Sequence, residues 1–208
     1  MSKPKYKLIY FNSKGRAEVT RLLFHLAGYD YEDVRITDEQ WHCKYKLDMP
    51  CKQVPVLFID DEPLTQSKAI ARYVAKQTDF YGQTNSQCAR IDAVMDVCND
   101  WHYSMVKWFG TGDPEVQESW VRVLREEAAP TVCSNLETLL RQNNGGDGYF
   151  VGDTITVADL FVFCDIEVIQ AFVDDLLAKY PKLSALFDRV ASNEKVAEWV
   201  KTRPHTKY

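Results

Sequence analysis

The chain has 208 residues, of which 46% are hydrophobic and 26% charged, proportions typical of a globular protein with one large or two small domains. Its formal net charge is −5, its pI is about 5.4 and its sequence has no basic cluster, which excludes nucleic acid as the main partner. No apolar leader precedes the first predicted strand and no apolar run approaches the roughly 18 residues of a membrane span, so we expect a cytoplasmic protein that is not bound to membranes.

The first part of the chain has the pattern of a β-α-β unit. Apolar residues alternate with lysines from Lys5 to Phe11, which predicts a strand. Apolar residues at helical spacing follow from Val19 to Leu26, and Gly28 stands where a helix C-cap glycine is expected. Tyr31 to Ile36 then has the composition of a second strand.

The next segment adds a β-β-α pattern. Residues 37–53 have no sustained period, but Val54 to Ile59 is a β-branched apolar run that predicts a strand, followed by a turn and a short strand near Leu64. A helix is predicted from Ser67 to Gln77. Residues 1–81 therefore form a predicted α/β domain with four strands.

From residue 82 onward the pattern is helical almost to the end, after a polar linker at Asp79–Gln87. An apolar stripe from Ile91 to Trp108 predicts one amphipathic helix of about five turns. A long helix follows, with a kink expected at Pro130. These features predict an all-α second domain over 82–208.

The centre of this second domain is predicted to be the nearly uniformly apolar helix from Val157 to about Phe172. Its start can be interpreted locally, with Thr156 as the N-cap and Asp159 as the third helical residue. We therefore assign Asp159 to folding. Two shorter helices are predicted around 183–191 and 196–201.

The cysteines are scattered, with no CxxC pair and no zinc-binding spacing. A chain of this size needs no disulfide to fold, so we interpret them as free thiols in a reducing compartment. They lie at positions 43, 51, 88, 98, 133 and 164.

Five motifs in the same order as in a known family run through nearly the whole chain. They are YFNSKGRAEVTRLLF, MPCKQVPVL, LTQSKAIARYVAK, VGDTITVADL and KVAEWVKTRPHTK. Together they resemble the cytosolic glutathione transferases, most closely the sigma class, which includes haematopoietic prostaglandin D synthase. The resemblance implies a thioredoxin-like α/β N-terminal domain followed by an all-α C-terminal domain. It also implies glutathione as co-substrate and a homodimer whose glutathione site is completed across the interface.

The resemblance assigns catalysis to Tyr10, with Arg16 adding positive charge. A thiol like that of free cysteine has a pKa of about 8.5, and the thiolate is the reactive form. A tyrosine hydroxyl at a strand end, next to a helix N-terminus, can favour that anion. Tyr10 alone would also fit a half-buried strand tyrosine, and Ser13 is a rival because some transferase classes use a serine here. No cysteine lies between Phe11 and Arg16, where thioredoxin-like oxidoreductases carry theirs, which argues against a redox role.

The resemblance also names the residues that bind glutathione. They are Tyr10, Phe11, Arg16, Trp41, Lys46, Gln53, Val54, Pro55, Gln66, Ser67 and Asp100. Val54-Pro55 is expected to contain a cis peptide bond, although an ordinary edge-strand proline would also fit locally. Ser67, before a helix, would serve either as an N-cap or as part of an anion site.

Two positions depart from the family pattern. Cys51-Lys52 replaces the usual Phe-Gly of the family motif. A lysine at this position could reach the carboxylates of the peptide, but Lys52 is not counted among the predicted glutathione residues. The segment WHCKYKLDMP is one residue longer than in the family pattern, so the lysine that accompanies Trp41 is predicted to be Lys46, with Lys44 as the alternative.

Asp100 matches the acidic residue that reaches the partner subunit's glutathione amine in this family. Locally it would also fit a solvated helix face. Asp92 and Asp96 precede it by two turns and one turn, but acidic residues at such spacing are usually only exposed, so no metal is predicted.

Three functions remain open at this point. The first is conjugation of the glutathione thiolate to apolar electrophiles, bound in a cleft between the domains. The second is glutathione-dependent prostaglandin D2 synthesis. Polar residues at positions of the acceptor pocket argue against it, because that enzyme has mostly apolar, aromatic or sulfur-bearing residues there. These polar residues are Ser13, His102, Lys107 and Asp165. The third is a non-catalytic ligand-binding or crystallin-like role.

Overall fold

The computed structural model describes residues 4–206 and 208. Residues 1–3, on which the expectation of no apolar leader falls, lie outside the described part, as does residue 207. The chain divides into two compact units. The first consists of Met1–Tyr81 together with Glu194–Tyr208, and the second is Gly82–Asn193.

The first unit is built on a mixed sheet with the strand order β2-β1-β3-β4. The strands are β1 (Tyr6–Phe11), β2 (Glu32–Ile36), β3 (Val56–Ile59) and β4 (Glu62–Thr65). β1 is parallel to β2 and antiparallel to β3, and β4 is antiparallel to β3. The parallel pair is connected by helix α1 (Glu18–Ala27), and helix α2 (Ser67–Gln77) follows β4. This confirms the predicted α/β arrangement.

Helix α1 lies at the centre of this unit and is buried on nearly all sides. It packs against α2 and against the last helix of the chain, Glu194–Thr202. The predicted second domain, 82–208, therefore differs from the observed division, because this last helix belongs to the first unit. Helical periodicity shows that such a helix buries one face, but not which partner covers that face.

The segment between β2 and β3 is not irregular, as the sequence suggested, but a succession of short helical turns. They are Asp38–Gln40, Trp41–Tyr45, Lys46–Asp48 and Pro50–Lys52. Trp41–Tyr45 is a π-helical turn, in which the Lys46 N–H donates to the Trp41 carbonyl five residues earlier. A π-turn is the usual way for a helix to take in one extra residue, which agrees with the extra residue noted in this motif.

The described part of the second unit is all-α, as predicted. Its helices are α3 (Asn85–Val97), α4 (Asn99–Phe109), α5 (Pro114–Val123), α6 (Ala129–Arg141), α7 (Val157–Ile169) and α8 (Pro181–Ala191). Helix α7 is the central one, since most of its residues are buried and it contacts both α3 and α8. The final helix of the chain, in the first unit, is α9 (Glu194–Thr202).

The predicted start of α7 is confirmed. Asp159, which is fully buried, accepts hydrogen bonds from the Thr156 N–H at 2.7 Å, the Thr156 hydroxyl at 2.8 Å and the Phe150 N–H at 2.8 Å. One carboxylate thus stabilises the helix start and the preceding loop together.

Two helix breaks differ from the sequence prediction. The predicted single helix over 91–108 is interrupted at Cys98, although the apolar stripe stays buried on both sides of the break. The break before Pro130 takes the form of a π-turn at Leu124–Ala128, since proline removes a backbone donor and its ring clashes with the carbonyl four residues earlier. None of the helices in the described part of the chain combines the length and apolar character needed to cross a membrane.

Candidate functional site

Tyr10 lies near the end of β1, just before the turn that leads into α1. Its side chain is largely buried, and its hydroxyl oxygen accepts a hydrogen bond from the Arg16 backbone N–H at 3.2 Å. A phenol has two acceptor lone pairs and one hydrogen to donate. Because the Arg16 N–H occupies a lone pair, the hydroxyl hydrogen remains available for a ligand atom.

A small pocket in the first unit gathers most of the predicted glutathione residues. Its lining consists of Arg16, Cys51, Gln53, Val54, Pro55, Thr65, Gln66 and Ser67. Cys51 and Thr65 are the lining residues that the sequence did not predict. The Val54-Pro55 peptide bond is cis, as the family resemblance implied.

The N-terminus of α2 lies at this pocket. The N-cap is Gln66, whose side chain makes no capping hydrogen bond, and Ser67 is the first helical residue. The alternative in which Ser67 is merely the N-cap is therefore wrong. The first backbone N–H groups of a helix have no partner within the helix and carry partial positive charge. Together with Arg16 in the same lining, they make this end of the pocket suited to an anion.

The backbone of Gln66 is also unusual, with φ 71° and ψ 111°. A positive φ is rare for a residue with a side chain and costs free energy, and such residues cluster at functional sites. Sequence reasoning named Gln66 from its motif but had no means of finding this conformation.

Phe11 and Trp41 form an aromatic series with Tyr10. The Tyr10 and Phe11 ring centroids are 5.7 Å apart, and those of Phe11 and Trp41 are 5.9 Å apart, both edge-on. Trp41 is buried in an apolar cluster against which the pocket residue Val54 also packs. This cluster connects Phe11 and Trp41, which lie outside the pocket lining, to Val54 within it.

The lining of this pocket does not include two further predicted residues, Lys46 and Asp100. Lys46 is exposed at the end of the π-turn, while the Lys44 ammonium lies 5.2 Å from the centroid of the Tyr45 ring. Asp100 is exposed in the first turn of α4, in the second unit. Within the part of the chain that the structure describes, no group of three or more His, Cys, Asp or Glu residues is arranged to hold a metal ion.

Three of the four polar residues at predicted acceptor positions contact other side chains of the second unit. His102 Nε2 and Asp165 Oδ1 are 2.9 Å apart, and Asp165 also accepts from the Trp101 indole N–H at 3.0 Å. The Lys107 ammonium lies 5.3 Å from the centroid of the Tyr103 ring. The remaining position, Ser13, lies in the first unit.

Sequence reasoning missed Arg21, which has no exposed surface. Its guanidinium donates to the Ser13 carbonyl at 2.6 Å and to the Phe11 carbonyl at 3.3 Å, directly behind Tyr10. The available signal was a charged pair three residues apart, Glu18 and Arg21, in a helix whose other faces are largely apolar.

Comparison with known proteins gives consistent matches over both units. The family model described as glutathione S-transferase, N-terminal domain, matches residues 6–76, and the one described as glutathione S-transferase, C-terminal domain, matches residues 99–203. S-crystallin 4 of Enteroctopus dofleini is 34% identical, over 99% of this chain and 100% of the relative. Hematopoietic prostaglandin D synthase of Gallus gallus is 37% identical, over 98% of each chain. A solved structure of rat hPGDS complexed with a quinoline superposes with a TM-score of 0.89 at 34% identity, over 99% of this chain and 100% of that one.

Proposed function

Because this chain belongs to the glutathione S-transferase family, we propose that it conjugates the glutathione thiolate to apolar electrophiles, with Tyr10 stabilising the thiolate. The observation that carries this proposal is the hydroxyl of the largely buried Tyr10, which accepts a hydrogen bond from the Arg16 N–H at 3.2 Å. Glutathione is the co-substrate of this family, and the N-terminal domain that binds it is present.

The chemical step needs an anion at neutral pH. A thiol with a pKa of about 8.5 is mostly protonated there, so a positioned donor that prefers the anion increases the reactive fraction. The Tyr10 hydroxyl supplies one hydrogen bond, and the Arg16 guanidinium adds positive charge. The thiolate then attacks an electrophilic carbon and forms a C–S bond, while the bond from that carbon to the leaving group breaks and its electron pair departs with that group, as chloride in the case of chlorodinitrobenzene. The proton lost from the thiol leaves to solvent.

The pocket beside Tyr10 holds the peptide. We assign the γ-glutamyl carboxylate to the N-terminus of α2, with Gln66 and Ser67, because free backbone N–H groups and Arg16 meet there. Val54, adjoining β3, is assigned to the cysteinyl backbone, and Gln53 and Pro55 complete that side. Phe11, Trp41 and Lys46 are assigned to the region near the glycyl end.

Asp100 completes the site in a homodimer, where it receives the amine of the glutathione bound to the partner subunit. Its exposed position in the first turn of α4 leaves the carboxylate accessible for this. We further propose a cytoplasmic protein that removes electrophiles, which fits the free thiols of its cysteines.

Two other functions have specific support. Relatives named hematopoietic prostaglandin D synthase match nearly the full length, which favours glutathione-dependent prostaglandin isomerisation as the second candidate. Relatives named S-crystallin also match the full length, so the third candidate is a structural or ligand-binding protein. The polar His102–Asp165 pair, at predicted acceptor positions, counts against the second candidate.

One set of assays separates these candidates. The purified protein is applied to immobilised glutathione and then assayed with chlorodinitrobenzene and, separately, with prostaglandin H2. If the protein is retained on immobilised glutathione and turns over chlorodinitrobenzene, conjugation is supported. If it forms prostaglandin D2 from prostaglandin H2, the second candidate is supported. Retention without any turnover would favour the crystallin-like role, and failure to bind glutathione would contradict the proposed function.

A further inference from the structure

Arg21 is a fully buried cation that connects α1 to the turn after Tyr10. It makes four hydrogen bonds, two to backbone carbonyls and two to carboxylates, at Phe11, Ser13, Glu18 and Asp33. A guanidinium holds its donors in a fixed plane, so bonds to both Phe11 and Ser13 fix the path of the chain between them.

The same guanidinium also lies against Tyr10. Its central carbon is 5.7 Å from the centroid of the Tyr10 ring, within the range of a cation–π interaction. Arg21 therefore contacts the ring on one side and fixes the turn that follows it. The other fixed point of Tyr10 is the bond from the Arg16 N–H to its hydroxyl.

Glu18 connects Arg21 to the C-terminal helix of the chain. Its carboxylate is almost fully buried and accepts from Arg21 at 3.3 Å, from the Trp199 indole N–H at 2.8 Å and from Arg203 at 3.0 Å. A buried carboxylate is stable only when it is paired and hydrogen-bonded, so the position of Glu18 depends on residues of α9 and on Arg203 just after it.

A second series of hydrogen bonds connects Arg21 to the same turn. Asp33 on β2 accepts from Arg21 at 3.1 Å and from Arg35 at 2.8 Å, and Arg35 donates to the Asn12 side-chain oxygen at 3.3 Å. In addition, the Lys14 N–H donates to the Tyr208 carbonyl at 2.5 Å. Both ends of the 11–14 turn are therefore held by charged groups and by the C-terminal segment.

We propose that Arg21 is the positioning residue for Tyr10, and that Trp199 of α9 and Arg203 just after that helix control the position of Arg21 through Glu18. This inference rests on the proposed function, since Tyr10 has to act on a bound thiol. Arg21 does not touch that thiol. It sets where the Tyr10 hydroxyl lies, and a small misplacement of a positioned group lowers the rate steeply.

The test compares Arg21→Lys with the wild-type protein. Lysine keeps the positive charge but cannot bridge two carbonyls and two carboxylates. We expect the pKa of the bound glutathione thiol, followed by ultraviolet difference absorbance against pH, to rise, and kcat with chlorodinitrobenzene to fall by about tenfold or more. The affinity for glutathione should change little, because the pocket lining does not include Arg21.

Trp199→Phe tests the connection to α9 with little loss of packing. It removes the single indole donor to Glu18 and should shift the thiol pKa in the same direction by a smaller amount. In the double variant the two shifts should be less than additive, because Trp199 acts on Tyr10 through Glu18 and Arg21. If Arg21→Lys does not fold, this variant alone decides the inference.

Lys195→Met is the matched control. It removes another polar contact between α9 and α1, from the Lys195 ammonium to the Leu26 carbonyl at 2.8 Å, away from the turn. It should leave the thiol pKa and kcat as in the wild type. A wild-type thiol pKa in Arg21→Lys or in Trp199→Phe would overturn the inference, while the proposed function would stand. A wild-type protein that binds no glutathione would instead contradict the proposed function.

Discussion

The Tyr10 hydroxyl occupies the space where a side chain at Gly15 would lie. A Cβ added to Gly15 would stand 2.6 Å from that oxygen, closer than real Cβ contacts allow. Gly15 also has φ +39°, in the region that disfavours side chains. The position of the hydroxyl thus depends on a glycine five residues later in the chain, as well as on the Arg16 N–H that bonds to it.

Gly15→Ala is therefore expected to displace the Tyr10 hydroxyl and lower kcat by at least about tenfold. The measurement is turnover of chlorodinitrobenzene at saturating glutathione. Gly28→Ala is the matched control, because Gly28 has a similar backbone, φ +64°, but a Cβ there meets nothing within 4 Å. It should lower stability and leave kcat unchanged. Equal kcat values for Gly15→Ala and wild type would contradict this.

Ser67→Ala is expected to weaken glutathione binding with little effect on stability. Ser67 lines the pocket but is not the N-cap of α2, so removing its hydroxyl leaves the helix intact. Thr84→Ala is the control, since the Thr84 hydroxyl does cap α3 by accepting from the Gln87 N–H. That change should cost about 1 kcal/mol of stability at unchanged KM for glutathione. If Ser67→Ala instead lowers stability and leaves the KM for glutathione unchanged, Ser67 has only a structural role.

Lys52→Gly is expected to stabilise the protein by up to about 1 kcal/mol. Lys52 has φ 49°, a left-handed conformation that glycine adopts without steric cost, and the family motif has glycine here. The unfolding midpoints in urea provide the measurement. Lys52→Ala removes the same ammonium but keeps the steric cost of a side chain at positive φ. Only the glycine variant should therefore gain stability. A raised KM for glutathione in both variants would show that the ammonium contacts the peptide.

Asp159 gives a pH-dependent prediction. Burial raises the pKa of its carboxyl from 3.8 to about 6, against the opposing effect of its hydrogen bonds to Phe150 and Thr156. A raised pKa means that the folded protein binds the proton more tightly than the unfolded chain. The contribution of this proton to stability is complete below about pH 4 and is lost as the pH rises through about 6.

The stability advantage of the wild type over Asp159→Asn should therefore shrink between pH 4 and pH 6, by at most about 1.4 kcal/mol per pH unit. Asp147→Asn is a control of opposite sign, because the hydrogen bond from Lys182 lowers the pKa of Asp147. The stability advantage of the wild type over Asp147→Asn should shrink as the pH falls. If the stability advantage of the wild type over Asp159→Asn grows between pH 4 and pH 6, the raised pKa of Asp159 is contradicted.

The sequence predicted the element order well because each element has a local signal. The alternation at 5–11, the capping residues Thr156 and Asp159, and the motif around Val54-Pro55 were sufficient for those parts. It could not predict that α9 belongs to the first unit, since its apolar face only shows that something covers it. The interruption at Cys98 was hidden because the apolar stripe continues in phase on both sides.

The candidate site was predictable where a motif names the residue and not where tertiary contacts decide its role. Gln66 and Ser67 follow from their motif, but the positive φ of Gln66 does not. Arg21 acts on the carbonyls of a turn that only folding brings within reach. Its partner Glu18 is bonded to Trp199, 181 residues later in the chain.

The central claim is that the Tyr10 hydroxyl stabilises the thiolate of glutathione. The most direct measurement is a titration of bound glutathione in wild-type and Tyr10→Phe protein, followed by the ultraviolet absorbance of the thiolate. We expect the bound thiol to ionise below the pKa of about 8.5 of a free thiol in the wild type, and to return towards that value in Tyr10→Phe, with a parallel loss of kcat. The same thiol pKa in both proteins, with full conjugating activity in Tyr10→Phe, would contradict the account.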